Sequence, residues 1–314
     1  MAGDIRIGIS GWTYPPWRKV FYPDGLPHHA ELGYASRAVR SIEINGTFYS
    51  QQRASSFRKW RESVPDDFVF SIKGSRYITH IRRLKDVAKP LSNFFASGLL
   101  ELREKLGPLL WQLPPSFKYD PEILESFFKL LPHDQEEIAK LARRHEGRLR
   151  GKAALKVHGN GPVRHALEVR HHSFENEEFI TLLKAYKVAL VVADTAGKWP
   201  FMEDLTSDFV YVRLHGDEEL YTSGYTPAAL GNWERKIRRW AKGGSPRGAK
   251  LQSSPPSARK SGRDVFVYFD NDVKVHAPFD AMELAGRLGM EPRYEEPPPG
   301  RPGTAQCKSR TKSA

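Results

Sequence analysis

Eight short apolar runs recur along the chain, at residues 5–10, 41–47, 68–74, 109–113, 166–170, 189–194, 209–215 and 264–272. They are rich in Val, Ile and Phe, and most end in a charged or amide side chain. Stretches of helical period separate them, at 29–39, 55–64, 87–105, 121–144, 176–186, 227–241 and 278–288. Pro132 divides the fourth of these stretches, and Thr226 is placed to cap the one that starts at Pro227. The sixth connection, 197–206, is too short to predict a helix with the same force. Alternating strand and helix patterns repeated in this way predict a single α/β domain, a (β/α)8 barrel of the TIM type, over residues 1–290. In such a barrel, polar residues at the C-terminal strand ends line the functional mouth.

Strand side chains alternate between two faces, and in a barrel the apolar face packs on the helices while the other points inward. Ile42 and Ile44 thus oppose Glu43 and Asn45, and Phe70 and Ile72 oppose Ser71 and Lys73. Leu167 and Val169 oppose Glu168 and Arg170, while Val210, Val212 and Leu214 oppose Tyr211, Arg213 and His215. The fourth run adds Gln112 and the sixth Asp194; the eighth ends Asp270-Asn271-Asp272, whose facing the pattern leaves open. Ionised groups inside a barrel require partners, so a structural ion-pair plug competes with a functional site. Aromatic residues follow the same strand ends: Trp12, Tyr14 and Trp17, then Phe48 and Tyr49, Tyr77, and Tyr221 with Tyr225. Such rings offer stacking surfaces for a sugar or a nucleobase, or serve to pack the loops.

Composition narrows the partners only partly. The net charge of the 314-residue chain is +12. Nine basic residues and no acidic one lie between Lys236 and Arg263, and eight basic residues stand against Glu146 between Lys140 and Arg164. The excess is therefore segmental: solvated loops, or a phosphate-binding fringe that would admit nucleic acid. Residues 243–262, rich in Gly, Ser, Pro and Lys, read as a disordered insertion, and 291–314 as a disordered tail. Residues 154–158 form an extra short strand or a loop. No run is long enough to span a membrane, and the strand at Ile5 leaves no room for a signal peptide, so a cytoplasmic protein is expected. The single cysteine, Cys307, lies in the tail and excludes a disulfide framework. No dinucleotide fingerprint is present, and no cofactor is assigned.

Several motifs taken in order resemble the YecE-like family (domain of unknown function 72). They are Gly8-Ile9-Ser10-Gly11-Trp12-Thr13-Tyr14 with Trp17, Glu43-Ile44-Asn45 with Thr47-Phe48-Tyr49, and Lys73 with Arg76-Tyr77-Ile78-Thr79-His80. Gln112-Leu113-Pro114-Pro115-Ser116-Phe117 and Glu168-Val169-Arg170-His171 follow. Arg213-Leu214-His215-Gly216 with Tyr221 and Tyr225, Tyr268-Phe269 with Asn271-Asp272, and Ala277-Pro278 complete the set. The resemblance implies a TIM-type barrel and supplies no established reaction. The chain departs from it at residues 50–53, where a proline is usual, at Asp280 for asparagine, and at Phe174 for tryptophan.

The candidate catalytic residues are Glu43, Lys73, Glu168 and His215. The candidate ligand contacts are Trp12, Asn45, Tyr49, Tyr77, His80, Gln112, Arg170, Arg213, Tyr225, Asn271 and Asp272. The leading chemistry is that of a hydrolase or lyase acting on an anionic ligand that contains a sugar or a nucleotide. Glu43 or Glu168 would be the base, His215 or Lys73 the proton donor, and Arg170 and Arg213 the anion clamp. A carboxylate paired with arginine is a poor acid, which favours His215 as donor. The first alternative is a metal-dependent phosphoesterase on nucleic acid, drawing ligands from Glu43, His80, Glu168, Asp194, His215 and Asp272; no compact metal motif accompanies them. The second is a binding module without turnover, to which the basic insertion would add salt-dependent affinity. A glycosidase would need two carboxylates about 5–9 Å apart, which a sequence does not fix.

Overall fold

The structure is a computed structural model that describes residues 1–149 and 152–300. Eight parallel strands close into a barrel in sequence order. They are β1 (Ile5–Ser10), β2 (Ser41–Ile44), β3 (Val69–Lys73), β4 (Leu106–Gln112), β5 (His165–Glu168), β6 (Ala189–Asp194), β7 (Phe209–Leu214) and β8 (Asp264–Phe269). β8 returns to β1, with Gly8 opposite Tyr268. Around them lie α1 (Glu31–Ala38), α2 (Gly46–Tyr49), α3 (Ala54–Glu62), α4 (Ala88–Ala96), α5 (Pro121–Phe128), α6 (Gln135–Ala142), α7 (Glu177–Ala185), α8 (Pro227–Ala241) and α9 (His276–Arg287). The stretch expected to break at Pro132 does so: Asp120 caps α5 by accepting from Ile123 N (3.1 Å), and Asp134 caps α6 by accepting from Glu137 N (2.8 Å). Thr226 caps α8 through Ala229 N (3.2 Å). Residues 154–158 form a loop.

The alternation sorts the core into two parts. Outward residues such as Ile7, Ile42, Phe70, Leu109, Leu167, Val192, Val212 and Val267 pack under the helices. Inward residues Leu110, Ala166, Val191, Phe209, Tyr211, Phe266 and Tyr268 fill the barrel below its mouth. Gly8 is required there, because a Cβ would sit 2.2 Å from Ser41 O. The tyrosines carry polar tips into this interior and satisfy them locally, as burial demands. Tyr268 Oη lies 2.8 Å from Ser41 Oγ, and Tyr211 Oη lies 2.7 Å from Ser71 Oγ. Tyr211 then donates to Glu43 Oε2 at 2.6 Å, which joins the barrel filling to the ionic layer above it.

Two segments whose composition predicts disorder are held against the barrel. Residues 243–262 form neither helix nor strand, yet their backbone is tethered. Glu203 N donates to Lys250 O (2.8 Å) and Glu203 Oε2 accepts from Lys250 N (3.1 Å). Asp204, 2% exposed, accepts from Gln252 N (2.9 Å), Ser253 N (3.0 Å) and Ser253 Oγ (2.9 Å). Lys184 of α7 reaches Ser253 Oγ at 3.1 Å. The composition correctly excludes regular structure, while the tether comes from two acids about fifty residues upstream, which no local pattern reveals. Replacing Asp204 by alanine is expected to free this segment, raising the rate of tryptic cleavage at Arg247 and Lys250 at least several-fold with the barrel intact; an unchanged cleavage rate would refute the tether. In the tail, residues 291–300 dock on the barrel: Tyr294 stacks on Tyr34 (5.9 Å, 10°), and Arg293 pairs with Asp67 (2.5 Å). Residues 301–314, with Cys307, lie outside the described residues. Among the described residues no helix is long and apolar enough to cross a membrane.

Candidate active site

Arg213, wholly buried on β7, is the hub of the barrel mouth. Its Nε and Nη2 donate to Glu43 Oε2 (3.1 Å) and Oε1 (2.9 Å). Nη1 donates to Glu168 Oε2 (2.7 Å), and Nη2 also reaches Asp270 Oδ2 (2.8 Å). The acceptors are completed by other strands. Ser10 donates to Glu43 Oε1 (3.0 Å), and Gln112 Nε2 (2.9 Å) and Arg170 Nε (2.7 Å) both donate to Glu168 Oε1. Every carboxylate oxygen of Glu43 and Glu168 is therefore engaged. Burial opposes ionisation of Glu168, but Arg170 and Arg213 hold it well below the usual carboxylate range. Likewise, the Arg213 charge outweighs burial and holds Asp270 low.

His215 Nδ1 lies 3.0 Å from Asp270 Oδ2, off the line of a hydrogen bond, and its Nε2 lies 4.0 Å from Glu168 Oε2. Burial and Arg213 lower its pKa, so its imidazole is neutral at pH 7. Lys73 ends β3 at 8% exposure. Its Nζ stands 4.6 Å over the Phe48 ring and makes no hydrogen bond among the described residues. Burial and the Arg213 charge push it down to about 8, against the pull of Glu43, Asp270 and Glu168. His80, on a short π-helical turn (Tyr77–Ile81), sets its ring against Phe48 (5.1 Å); burial and the charges of Lys73, Arg170 and Arg76 push it down to about 4. Arg170 lies 3.8 Å over the Trp199 ring and donates to Tyr221 Oη at 3.3 Å. Asp272 points the other way in titration: burial and the Asp270 charge raise its pKa well above the usual range.

The structure thus brings together Glu43, Lys73, His80, Gln112, Glu168, Arg170, Arg213 and His215, with Asn45 and Asp272 at the adjoining strand ends. Other expectations need correction. Among the described residues Arg213 has no free donor for a ligand: four of its N–H groups go to three carboxylates and the fifth faces His215 Nε2 (3.5 Å). Tyr225 turns to Asp194 Oδ2 (3.1 Å) and packs on Phe269, because Asp194 shares the outward face of β6 with Leu190 and Val192. Asn271 is an internal brace, donating to Ser223 O (3.0 Å) and Asp280 Oδ2 (2.9 Å). Trp12 packs edge-on against Trp60 of α3 (5.5 Å), and Trp17 is buried against Tyr14 and Phe21. Tyr49 and Tyr77 are exposed, at 71% and 48%.

Asp270 is the principal residue the sequence reading missed. The signal existed: Phe266 and Tyr268 point inward, and one more alternation carries Asp270 to the same face. The carboxylates that could hold a cation converge on Arg213 instead, and among the described residues no three of His, Cys, Asp and Glu are grouped to bind a metal ion. A cleft of about 530 Å³ between His133, Arg164, Lys187 and Arg259 opens at the opposite, N-terminal ends of the strands, away from this chemistry.

Residues 6–304 match the model of a family described as "Protein of unknown function DUF72". The chain belongs to the DUF72 family. It is 30% identical over 113 residues to the UPF0759 protein YecE of Escherichia coli K12, covering 36% of this chain and 39% of that protein. It is 25% identical over 139 residues to the UPF0759 protein YunF of Bacillus subtilis 168, covering 43% and 48%. These alignments span less than half the length of either curated relative. The crystal structure of the DUF72 protein TM1631 from Thermotoga maritima superposes with a TM-score of 0.70 over 91% of this chain and 99% of that one, at 23% identity, which establishes a shared fold. Within this DUF72 barrel, the chain's departures have local partners. Asp280 accepts from Asn271 Nδ2 and from Tyr225 N (3.1 Å), and Phe174 is buried against Phe117 and Phe179.

Proposed function

We propose that the barrel mouth binds an anionic substrate and turns it over by proton transfer, as a hydrolase or lyase. The observation that carries this reading is Lys73: a nearly buried amine at the functional end of the barrel, without a hydrogen-bonding partner among the described residues, above a paired ionic floor. A stability network would have paired it, since an ammonium removed from water without compensation is costly.

The roles follow from which valences remain. Glu43 and Glu168 have none to offer and serve as the fixed negative charge that keeps Arg213 and Arg170 in place. Lys73 and Arg170 receive the anion; Arg170 is already oriented by Glu168 and the Trp199 face. A Lys73 ammonium with a pKa of about 8 releases its proton to a leaving group more readily than an ordinary lysine does. The neutral His80 imidazole beside it is a second proton-transfer group.

The test is a panel of phosphorylated and carboxylated metabolites incubated with the protein and followed by mass spectrometry, with melting temperature recorded for each. Wild-type protein should consume at least one that raises its melting temperature, and Arg170→Gln should weaken that shift about tenfold in ligand concentration. Stabilisation without consumption would make the protein a binding module, and no stabilisation by any anion would leave the mouth a structural plug.

A further inference from the structure

Three strands that meet beside the ionic hub, β1, β2 and β8, end in a set of groups that the proton-transfer reading does not use. Asn45 follows β2, Asp272 follows β8, and Tyr14 follows β1. Asn45 Oδ1 and Asp272 Oδ1 are both shielded from solvent, and among the described residues neither oxygen accepts a hydrogen bond. The Tyr14 hydroxyl lies within reach of both side chains, but its proton is given to Ser10 O at 2.5 Å, so it has none to donate to either Oδ1. A buried acceptor left open carries the desolvation cost of the group, and native proteins usually supply it with a donor.

We infer that Asn45 and Asp272 form a hydroxyl-binding subsite, so that the substrate is a hydroxylated anion of the aldose phosphate or aldonate kind, its acidic group on Lys73 and Arg170 and its hydroxyls on Asn45 Oδ1 and Asp272. The anionic half of this inference rests on the function proposed above; the hydroxyl half rests on the two open acceptors alone. Hydroxyls fit because each both donates and accepts. Asn45 presents a bare carbonyl oxygen. Burial and the Asp270 charge raise the pKa of Asp272 well above the usual range, and with the Tyr14 hydroxyl beside it the side chain offers its open Oδ1 as an acceptor for a hydroxyl. The two halves of the mouth are contiguous: the hydroxyl of Thr47, two residues beyond Asn45, lies 2.7 Å from Lys73 O, and Asp270 acts on both Lys73 and Asp272. The distance from an acidic group to a hydroxyl in such a molecule is set by a few carbon atoms, which suits one cup at the end of a barrel.

The experiment measures binding of inorganic phosphate, of neutral glucose, and of aldose phosphates and aldonates of three to six carbons, by calorimetry, to wild type, Asn45→Ala, Asp272→Asn, Asp272→Ala and Arg170→Gln. At least one hydroxylated anion should bind about tenfold or more tightly than inorganic phosphate. Asn45→Ala and Asp272→Ala should erase that advantage and leave inorganic phosphate binding unchanged, while the neutral isostere Asp272→Asn should keep most of it. Preference for a phosphate or for a carboxylate among the ligands decides which acidic group is meant. If no hydroxylated anion exceeds inorganic phosphate, or if Asn45→Ala and Asp272→Ala weaken both equally, the subsite is overturned while the anion site stands. If inorganic phosphate fails to bind and Arg170→Gln changes nothing, the anion site falls instead. Glucose bound to wild type and lost in Asn45→Ala would then still support the hydroxyl subsite, and absence of glucose binding would overturn it too.

Discussion

Replacing Arg213 by methionine should destabilise the protein by about 3–5 kcal/mol, the range for removing one partner of a buried ion pair. Three carboxylates, of Glu43, Glu168 and Asp270, lose their common cation. Two of them are fully buried, so water does not replace it. The pH dependence should weaken as well. In the wild type, Glu168 and Asp270 are held below the usual carboxylate range. The unfolded chain then binds protons first as pH falls, so their contribution is full above the unfolded carboxylate range, about pH 4–5, and is lost below it as pH falls through the folded values. Without Arg213 that depression weakens, most of all at Asp270 because Arg170 still faces Glu168, so stability should fall less steeply as pH drops from about 7 to 3. Urea unfolding across that range measures both effects. A loss under about 1 kcal/mol, or an unchanged slope with pH, would mean the hub is not what holds the mouth together.

Lys73→Met should have the opposite pairing of effects. Activity on any substrate found by the panel should fall about 10²–10⁴-fold, the usual weight of a positioned proton-transfer group. Stability at pH 7 should rise by about 1 kcal/mol, because a desolvated ammonium gives way to an apolar chain of similar length. The sign of the linkage can be checked independently. The folded pKa of about 8 lies below that of an ordinary lysine, so the unfolded chain binds the extra proton between the two values. Lys73 thus penalises folding fully below pH 8, and the penalty fades as pH rises toward about 10.5. Lys73→Met should remove that component. Reductive methylation with ¹³C-labelled formaldehyde would follow the Lys73 amine directly. A resonance titrating with the surface lysines, together with unimpaired turnover in the methionine variant, would end its role as proton donor.

The barrel and most of its inward-facing residues were legible because strand alternation is a two-state code. Glu43, Lys73, Glu168 and Arg213 follow from their apolar neighbours alone. The same code carries Asp270 inward with Phe266 and Tyr268, and Asp194 outward with Leu190 and Val192. What alternation does not contain is distance. Glu43 and Glu168 lie on strands separated by two others, and only barrel closure brings both onto one guanidinium. Residues just past the strand ends were harder still: Tyr225 and Asn271 obey loop geometry, and their partners Asp194 and Asp280 lie 31 and 9 residues away. The aromatic residues were legible as a group, but Trp12 and Trp17 are committed to packing while Phe48 and Trp199 face the two cations.

The tether at Glu203 and Asp204 bears on how the outer wall is built. Among the described residues no helix follows β6, which leaves a gap in the ring between α7 and α8. Residues 250–253 span that region, gripped by Glu203 and Asp204 and touched by Lys184 of α7. A later stretch of the polypeptide, without secondary structure of its own, serves as a surrogate stave. Trimming it as a dispensable loop would breach the cylinder's casing, whereas relatives that lengthen the sixth connection into a true helix could shed it freely.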